Sequence, residues 1–536
     1  MIKYSLLALV VVLGVLCPSC SSIHVDGGPF PIEFDEASIE SKNDYLKAVH
    51  MQEGRSKQPN ILLILVDDLG RDDISVYSRE GVHTPHLSRL AESGVIFTDA
   101  YSTSSVCSPS RASLLTGRYQ HRFGFERQPM NRYPRNKMEF YITDRFLKPE
   151  PMRLINPMST PSREDMQKQG IDSGEILLPE ILQAGGYHTG IFGKWHLGLD
   201  DMFLPNSRGF EYQYGFYEAF SHYALPRDPD IVNYRHDYFA SKHIWKQKRK
   251  GSCAIRLNDS VIVEKEYLTF SIARQTIDFI DQHGQEPFFA FVAFNAPHTP
   301  FQVPLEYYQR FDHIKDENKR VYYSMISALD DGIGMIIQKL EEDGMLENTL
   351  ILFASDHGAA TYTGASENGS LNGGKMTHFN GGVNVPCMIS WKDKIPPGTR
   401  YEQAVSLMDL FATALATTGI PEPSDRIIDG VDLLPYLTGQ KDGAPHKALF
   451  WRTDFNKSLR YENWKFIWNT RDEQVFLFDL ANDKGEKVNL APGHPELVQQ
   501  LMLEMTRWEK ELKDPLWPGV MEIRFEINGE ETWWAI

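Results

Sequence analysis

A series of short apolar runs, each closed by a cluster of polar residues, constrains the fold of this chain more than any other feature. Ile61 to Val66 ends in Asp67-Asp68, Thr189 to Phe192 in Gly193-Lys194-Trp195-His196, Phe288 to Phe294 in Asn295-Ala296-Pro297-His298, and Thr349 to Ala354 in Ser355-Asp356-His357-Gly358. Val95 to Phe97 is a shorter run, and Cys107 follows it. Continuous apolar runs of this length are what strands covered on both faces require. Between them the period changes to that of helices: Thr84 to Ser93, Leu177 to Ala184 stopped by Gly185-Gly186, Val261 to His283, and Tyr322 to Asp343 stopped by Gly344. This alternation predicts an α/β fold with a large, mainly parallel sheet sandwiched by helices. Ligands of open α/β sheets sit outside the carboxyl ends of the strands. Polar groups far apart in sequence are therefore expected to converge on one crevice.

The ends of the chain read differently. Residues 1–20 begin with Lys3 and an apolar run to Leu16, too short to span a bilayer and suited to a signal peptide. Ser19 before Cys20 suggests the bacterial lipoprotein type, with Cys17 where leucine is preferred. Export is expected, to the periplasm or outer membrane of a Gram-negative bacterium, with membrane attachment through a lipidated Cys20. Residues 21–55 read as a polar tether with a helical patch, 56–440 as the main domain, and 441–536 as a smaller α+β subdomain. In the last, Ala448 to Arg452, Trp464 to Trp468 and Val475 to Asp479 read as antiparallel strands and Pro495 to Leu512 as a helix.

The formal net charge is −17. Such a surface repels polyanions, which argues against nucleic acid as a partner. An anionic substrate would need a local basic cleft. The long connections Gln120 to Ser173 and Met202 to Arg256, the second with His222, Arg227, Arg235, His236 and His243, are where such a cleft is expected. Any single one of these charges is ordinarily just solvated. If Cys107 is chemically committed, the remaining inner cysteines, Cys253 and Cys387, allow a single disulfide.

Cys107 sits at the mouth of a short predicted helix, with Ser108 suited to the N-cap, Pro109 to the first helical position and Gly117 to the stop. The helix dipole and its free N–H groups favour an anion there. An ordinary capped helix with a buried thiol and an activated-thiol hydrolase both fit this much. Asp67-Asp68 alone could cap a turn. Together with Asp356, at strand ends, three carboxylates favour a hard cation, Ca²⁺ or Mg²⁺.

The strings Cys107-Ser108-Pro109-Ser110-Arg111, Leu115-Thr116-Gly117-Arg118, Gly193-Lys194-Trp195-His196-Leu197-Gly198, Ala296-Pro297-His298 and Leu371-Asn372-Gly373-Gly374-Lys375 resemble the signature of the type I sulfatases. So do Tyr461 to Phe466, Phe478-Asp479-Leu480 and Asn482 to Leu490 near the C-terminus. The resemblance implies the alkaline-phosphatase-like fold and hydrolysis of sulfate esters, on a sulfated polysaccharide or oligosaccharide. It implies that a maturing enzyme oxidises Cys107 to formylglycine (3-oxoalanine), whose hydrate attacks sulfur. Asp67, Asp68, Asp356 and Cys107 would hold one calcium ion. His357 stands where the family most often has asparagine; imidazole is a poor calcium ligand, so His357 would either ligate or hydrogen-bond the substrate. Arg111 would steady the nucleophile, Lys194 and Lys375 would clamp sulfate oxygens, and His298 and His196 would serve as acid and base, roles that could be exchanged. A phosphodiesterase or phosphonate monoester hydrolase of the same superfamily is the enzymatic alternative, and a noncatalytic glycan-binding protein the non-enzymatic one. One departure stands out. The family usually continues Glu-Gly-Gly-x-Arg-x-Pro, where this chain has Asn380 and Asn384, so a structural rather than a chemical consequence is expected.

Overall fold

The structure is a computed structural model. It describes residues 29–51, 58–129, 138, 152–155, 160–162, 164–225, 227–237 and 241–536. The signal-peptide and Cys20 readings, and much of the Gln120 to Ser173 connection, lie outside the described residues.

One mixed sheet of ten strands forms the centre. Across it run Ser260–Val261, Arg256–Leu257, Tyr212–Phe216, His188–Lys194, Phe288–Pro297, Asn60–Asp67, Thr349–Ser355, Cys387–Ser390, Val95–Phe97 and Thr399–Tyr401. From Tyr212–Phe216 to Thr349–Ser355 all pairings are parallel, and Cys387–Ser390 is antiparallel to its neighbours. Alternate residues of each apolar run feed opposite layers, as the period of two demands. Leu63, Leu65, Phe289, Phe291 and Leu352 enter one buried cluster, with Leu114, Leu115, Ile181 and Phe411 of helices on that face. Leu62, Ile64, Ala290, Val292 and Phe353 enter the other, with Ile272, Leu329 and Ile333. Each such leucine contributes about 1.5–3 kcal/mol by burial. The α/β sandwich expected from the alternation is the observed fold.

Several elements differ from the expectation in extent. The long helix begins at Leu268, not Val261. Ser260–Val261 instead turns back as an edge strand on Arg256–Leu257. The helix ending before Gly344 begins earlier, at Glu317, because Asp316 accepts from the Asn318 and Lys319 N–H groups as its N-cap. The helix at the mouth of the crevice spans Cys107–Thr116 with extended Val106 at its cap, so Ser108 is inside the first turn and not the cap. Gly117 does end it, in the left-handed conformation (φ 68°).

The C-terminal part is a four-stranded antiparallel meander, Ala448–Thr453, Asn456–Tyr461, Trp464–Asn469 and Gln474–Asp479, with a helix at Pro495–Glu509. A terminal hairpin, Met521–Ile527 and Glu530–Ala535, pairs with Met152–Leu154 of the main domain; sequence reading had not found it. Cys253 and Cys387 are free, buried thiols in separate clusters, so the single possible disulfide is not formed.

Candidate active site

The strand ends do converge. Asp67 closes the Asn60–Asp67 strand, and Asp68 takes the left-handed conformation (φ 66°), which aspartate tolerates better than most residues. Tyr322 holds this turn by donating to the Asp68 carbonyl and to Asp73 Oδ2. Lys194 and His196 follow Gly193, whose φ of 116° and proximity to the Ala293 carbonyl, 2.1 Å from where a Cβ would sit, admit only glycine. Gly358 lets the Asp356-His357 turn lie directly on the Gly381 carbonyl, where a Cβ would come within 1.8 Å.

Cys107 Sγ lies 3.4 Å from Asp67 Oδ1, 3.1 Å from His357 Nε2 and 3.5 Å from Lys375 Nζ. Lys375 Nζ donates to Asp68 Oδ1 at 2.6 Å and Lys194 Nζ to Asp67 Oδ2 at 2.7 Å. Arg111 is wholly buried and donates through Nε to Asp356 Oδ2 at 3.0 Å and through Nη1 to the Lys194 carbonyl at 3.1 Å. His298 Nε2 is 3.7 Å from Asp68 Oδ2, and its Nδ1 donates to the Thr299 carbonyl at 2.6 Å. His196 is buried with Nδ1 unpartnered among the described residues. Cys107, Asp67, Asp68, Asp356, Arg111, Lys194, His298, His357 and Lys375 therefore share one buried floor, with the buried His196 two residues past Lys194. Ser108 and Ser110 lie inside the quoted string, yet their part was not foreseen. Their hydroxyls donate to the His196 and Asp356 carbonyls and so tie the Cys107 helix to two other strand ends. Tyr223, also missed, aims its hydroxyl at the carbonyls of Asn295 and His298, 2.5 and 2.7 Å away.

The electrostatics follow from burial and pairing. Burial raises the Asp67 carboxyl, but Lys194, with His298 and Arg111, overrides it and holds the group well below the carboxylate range. Burial opposes ionisation of Lys375 too, and Asp68 with Cys107 reverses this. Burial pulls His357 down, while Asp356 and Cys107 carry it up to about 9. His298 stays low, at about 4, because burial outweighs the pull of Asp68. Burial, joined by Lys194 and Arg111, keeps His196 well below its ordinary value.

The donor set is a candidate for a divalent cation. One ligand atom from each of Asp67, Asp68, Cys107 and His357 lies within 4.8 Å of the others, all buried. Asp356 Oδ1 is buried without a hydrogen-bond partner among the described residues, an oxygen that needs a proton or a cation. His357 Nδ1 donates to the Gly358 carbonyl, and its Nε2 faces Asp68 and Asp356 at 3.4 and 3.5 Å, where a cation would have to displace the proton that Asp356 and Cys107 favour on the ring.

The Sulfatase family's sequence profile matches residues 59–420, which contain every one of these side chains. The chain belongs to the sulfatase family. It is a sulfuric ester hydrolase. It is 34% identical to the dog (Canis lupus familiaris) N-acetylgalactosamine-6-sulfatase over 84% of each chain, and 28% identical to an uncharacterized sulfatase, YdeN, of Escherichia coli over 88% of each. Among solved structures it is similar to Ps i-CgsB, with 28% identity, 86% of this chain and 94% of that one covered, and a TM-score of 0.70. In this sulfatase Asn380 and Asn384 are both held by hydrogen bonds. Asn380 N–H donates to Glu486 at 2.6 Å, its Nδ2 donates to the Lys484 carbonyl, and Asn384 Oδ1 accepts from Arg71.

Proposed function

We propose that this sulfatase acts through a formylglycine made from Cys107 and a bound calcium ion, on a sulfated polysaccharide or oligosaccharide outside the cytoplasm. The observation that carries the reading is the position of Cys107. Its sulfur lies at the first residue of a helix, within 3.5 Å of Asp67, His357 and Lys375 at once.

Oxidised, Cys107 would supply the oxygen nucleophile. A cation held by Asp67, Asp68, Asp356 and the oxidised residue 107, with His357 beside it, would supply charge that acidifies that nucleophile and neutralises sulfate oxygens. Lys194 and Lys375 stand beside the carboxylates and are placed to clamp sulfate oxygens, where charge must be met in the transition state. Arg111, locked by Asp356 and the Lys194 carbonyl, fixes the distance between helix and strand ends. His298 exchanges a proton only through Nε2, because Nδ1 is committed to Thr299. The negative charge of a bound sulfate raises its affinity for that proton, as protonating the leaving alcohol requires. His196, kept neutral, is suited to take up a proton.

Support for the substrate class comes from relatives: one is named for N-acetylgalactosamine 6-sulfate, and Ps i-CgsB has also been solved with k-i-k-neocarrahexaose. Read as a lipoprotein signal, residues 1–20 would place the enzyme at the bacterial envelope, where a polysaccharide too large for import is met.

Mass spectrometry of the Cys107 peptide, from a host with a maturing enzyme, tests the reading. Sulfur replaced by oxygen with loss of two hydrogens is expected, and activity on an aryl sulfate should track the converted fraction. Full activity with only the free thiol would replace the reading with a thiol hydrolase.

A further inference from the structure

A basic surface stands out on a chain of net charge −17. Ser241 to Lys250 holds four lysines and one arginine and no acid. The segment lines a cavity of about 330 Å³, together with Arg235 and His236; Lys242, Trp245 and Lys246 face it. The cavity is built rather than incidental. The Arg235 guanidinium lies over the Trp245 ring at 4.7 Å, and the buried His222 packs edge-on against the same ring at 5.0 Å. Arg249 fixes the backbone by donating to the His222 carbonyl.

Both walls are tied to the His298 side of the catalytic floor. Arg235 and His236 follow the Ile231–Tyr234 strand, which pairs with Phe301–Pro304 so that Tyr234 lies opposite Phe301. His236 packs edge-on against Phe301 at 4.5 Å. Phe301 is three residues past His298, a span of at most about 11 Å. On the other wall, His222 precedes Tyr223, whose hydroxyl reaches the His298 carbonyl. In the mechanism above, that is the side on which the leaving alcohol stands.

We propose that this cavity is a subsite for a second, anionic sugar residue, sulfated or uronic, of the same saccharide whose ester is cleaved. The substrate is then an acidic oligosaccharide or polymer, not a sulfated monosaccharide. The proposal deepens the glycan reading above and rests on it. An aromatic ring offers a surface for the apolar face of a sugar, and the lysines and arginine offer charge-assisted bonds to its sulfate or carboxylate. The local field must overcome a repulsive global one, which salt screens beyond about 8 Å.

The test uses the full-length protein. Binding is measured in a Cys107→Ser background to N-acetylgalactosamine 6-sulfate, a chondroitin 6-sulfate hexasaccharide and a carrageenan hexasaccharide. Turnover of an aryl sulfate is measured with Cys107 intact. At least one hexasaccharide should bind roughly tenfold or more tighter than the monosaccharide, the gain expected of one charge-assisted contact. Lys242→Glu/Lys246→Glu should erase that gain, Trp245→Ala should reduce it, and aryl sulfate turnover should be unchanged in both. The gain should also shrink with salt in the parent and not in the charge-reversed variant. The proposal is overturned if hexasaccharides bind no tighter than the monosaccharide, if charge reversal leaves the gain intact, or if it depresses aryl sulfate turnover equally. Aryl sulfate turnover with no binding of any saccharide would sink the glycan reading along with the subsite. Release of sulfate from a hexasaccharide with no effect of charge reversal would sink the subsite alone.

Discussion

Two buried sets of charges, the catalytic floor and the seam with the C-terminal meander, are handled in opposite ways. On the floor, Lys194 meets Asp67, Lys375 meets Asp68 and Arg111 meets Asp356, each within 3.0 Å. In the seam, Lys465 Nζ has no hydrogen-bond partner among the described residues and lies over the Trp451 ring at 4.0 Å. Glu486 accepts the Asn380 N–H through one oxygen, and its other oxygen is unpartnered among the described residues. Burial brings Lys465 down to about 7 and Glu486 up to about 8, each against the pull of the other. On the floor Lys194 keeps Asp67 ionised and Asp68 keeps Lys375 charged, while burial and the neighbouring Asp67 push Asp356 up despite Arg111; in the seam both groups move toward neutrality. The floor therefore holds charge ready for an anion. The seam is structural: the Glu486 loop grips the segment that carries Lys375, with Asn372 Nδ2 and Asn528 Nδ2 both donating to the Glu486 carbonyl.

Cys107→Ala should reduce aryl sulfate turnover by ~10⁴-fold or more, the scale of losing a nucleophile, with no loss of thermal stability. A variant that keeps measurable turnover would show that the floor's charge, without residue 107, suffices for chemistry.

Next comes the cation. Chelation should abolish turnover, with Ca²⁺ restoring it better than Zn²⁺. Asp356→Ala should lose bound metal and activity together and leave the buried Arg111 with only the more distant Asp67, 3.9 Å away, as counter-charge, which should lower thermal stability. His357→Ala should lose activity while keeping more of the metal. Equal metal loss in the two variants, read by elemental analysis, would make His357 a full ligand.

Lys375→Ala should lower kcat/KM by roughly 10- to 150-fold, from loss of one charge-assisted contact of about 1.5–3 kcal/mol. Raising salt should change the small-substrate value far less, since contacts on a buried floor are weakly screened. A steep salt effect on a monosulfated aryl substrate would show that an open surface, and not the floor, governs its binding.

The smallest effect concerns the seam, and it is one of pH. Between pH 4.5 and about 8 the folded protein keeps a Glu486 proton that the unfolded chain has released, so stability falls as pH rises through that window. Between about 7 and 10.5 the unfolded chain keeps a Lys465 proton that the folded protein has released, so stability rises with pH there. Lys465→Met/Glu486→Gln should remove a minimum near pH 7–8 in denaturation midpoints, with aryl sulfate turnover little changed. A wild-type-to-variant difference that is flat with pH would mean that the seam is an ion pair like those of the floor.

The amino-acid order by itself determined the layers of the sheet. Runs such as Ile61 to Val66 are apolar throughout because both faces are covered, and each run stops where a polar residue meets the crevice. It also determined which residues gather on the floor, since the carboxyl ends of parallel strands share one edge. Strand ends are local facts, and the sandwich turns them into neighbours. Other features were decided only by tertiary structure. Ser108 serves the His196 carbonyl instead of capping its own helix, because the strand end it meets lies 88 residues away in sequence. Val261 leaves the predicted helix for an edge strand, and the terminal hairpin finds Met152–Leu154, because sheet pairing is non-local and carries no mark in either partner. The Asn380 side chain meets the Lys484 carbonyl, a partner more than a hundred residues further along the chain. Whether a buried charge is paired or lone depends on what packs against it, so the contrast between floor and seam exists only once the chain has closed.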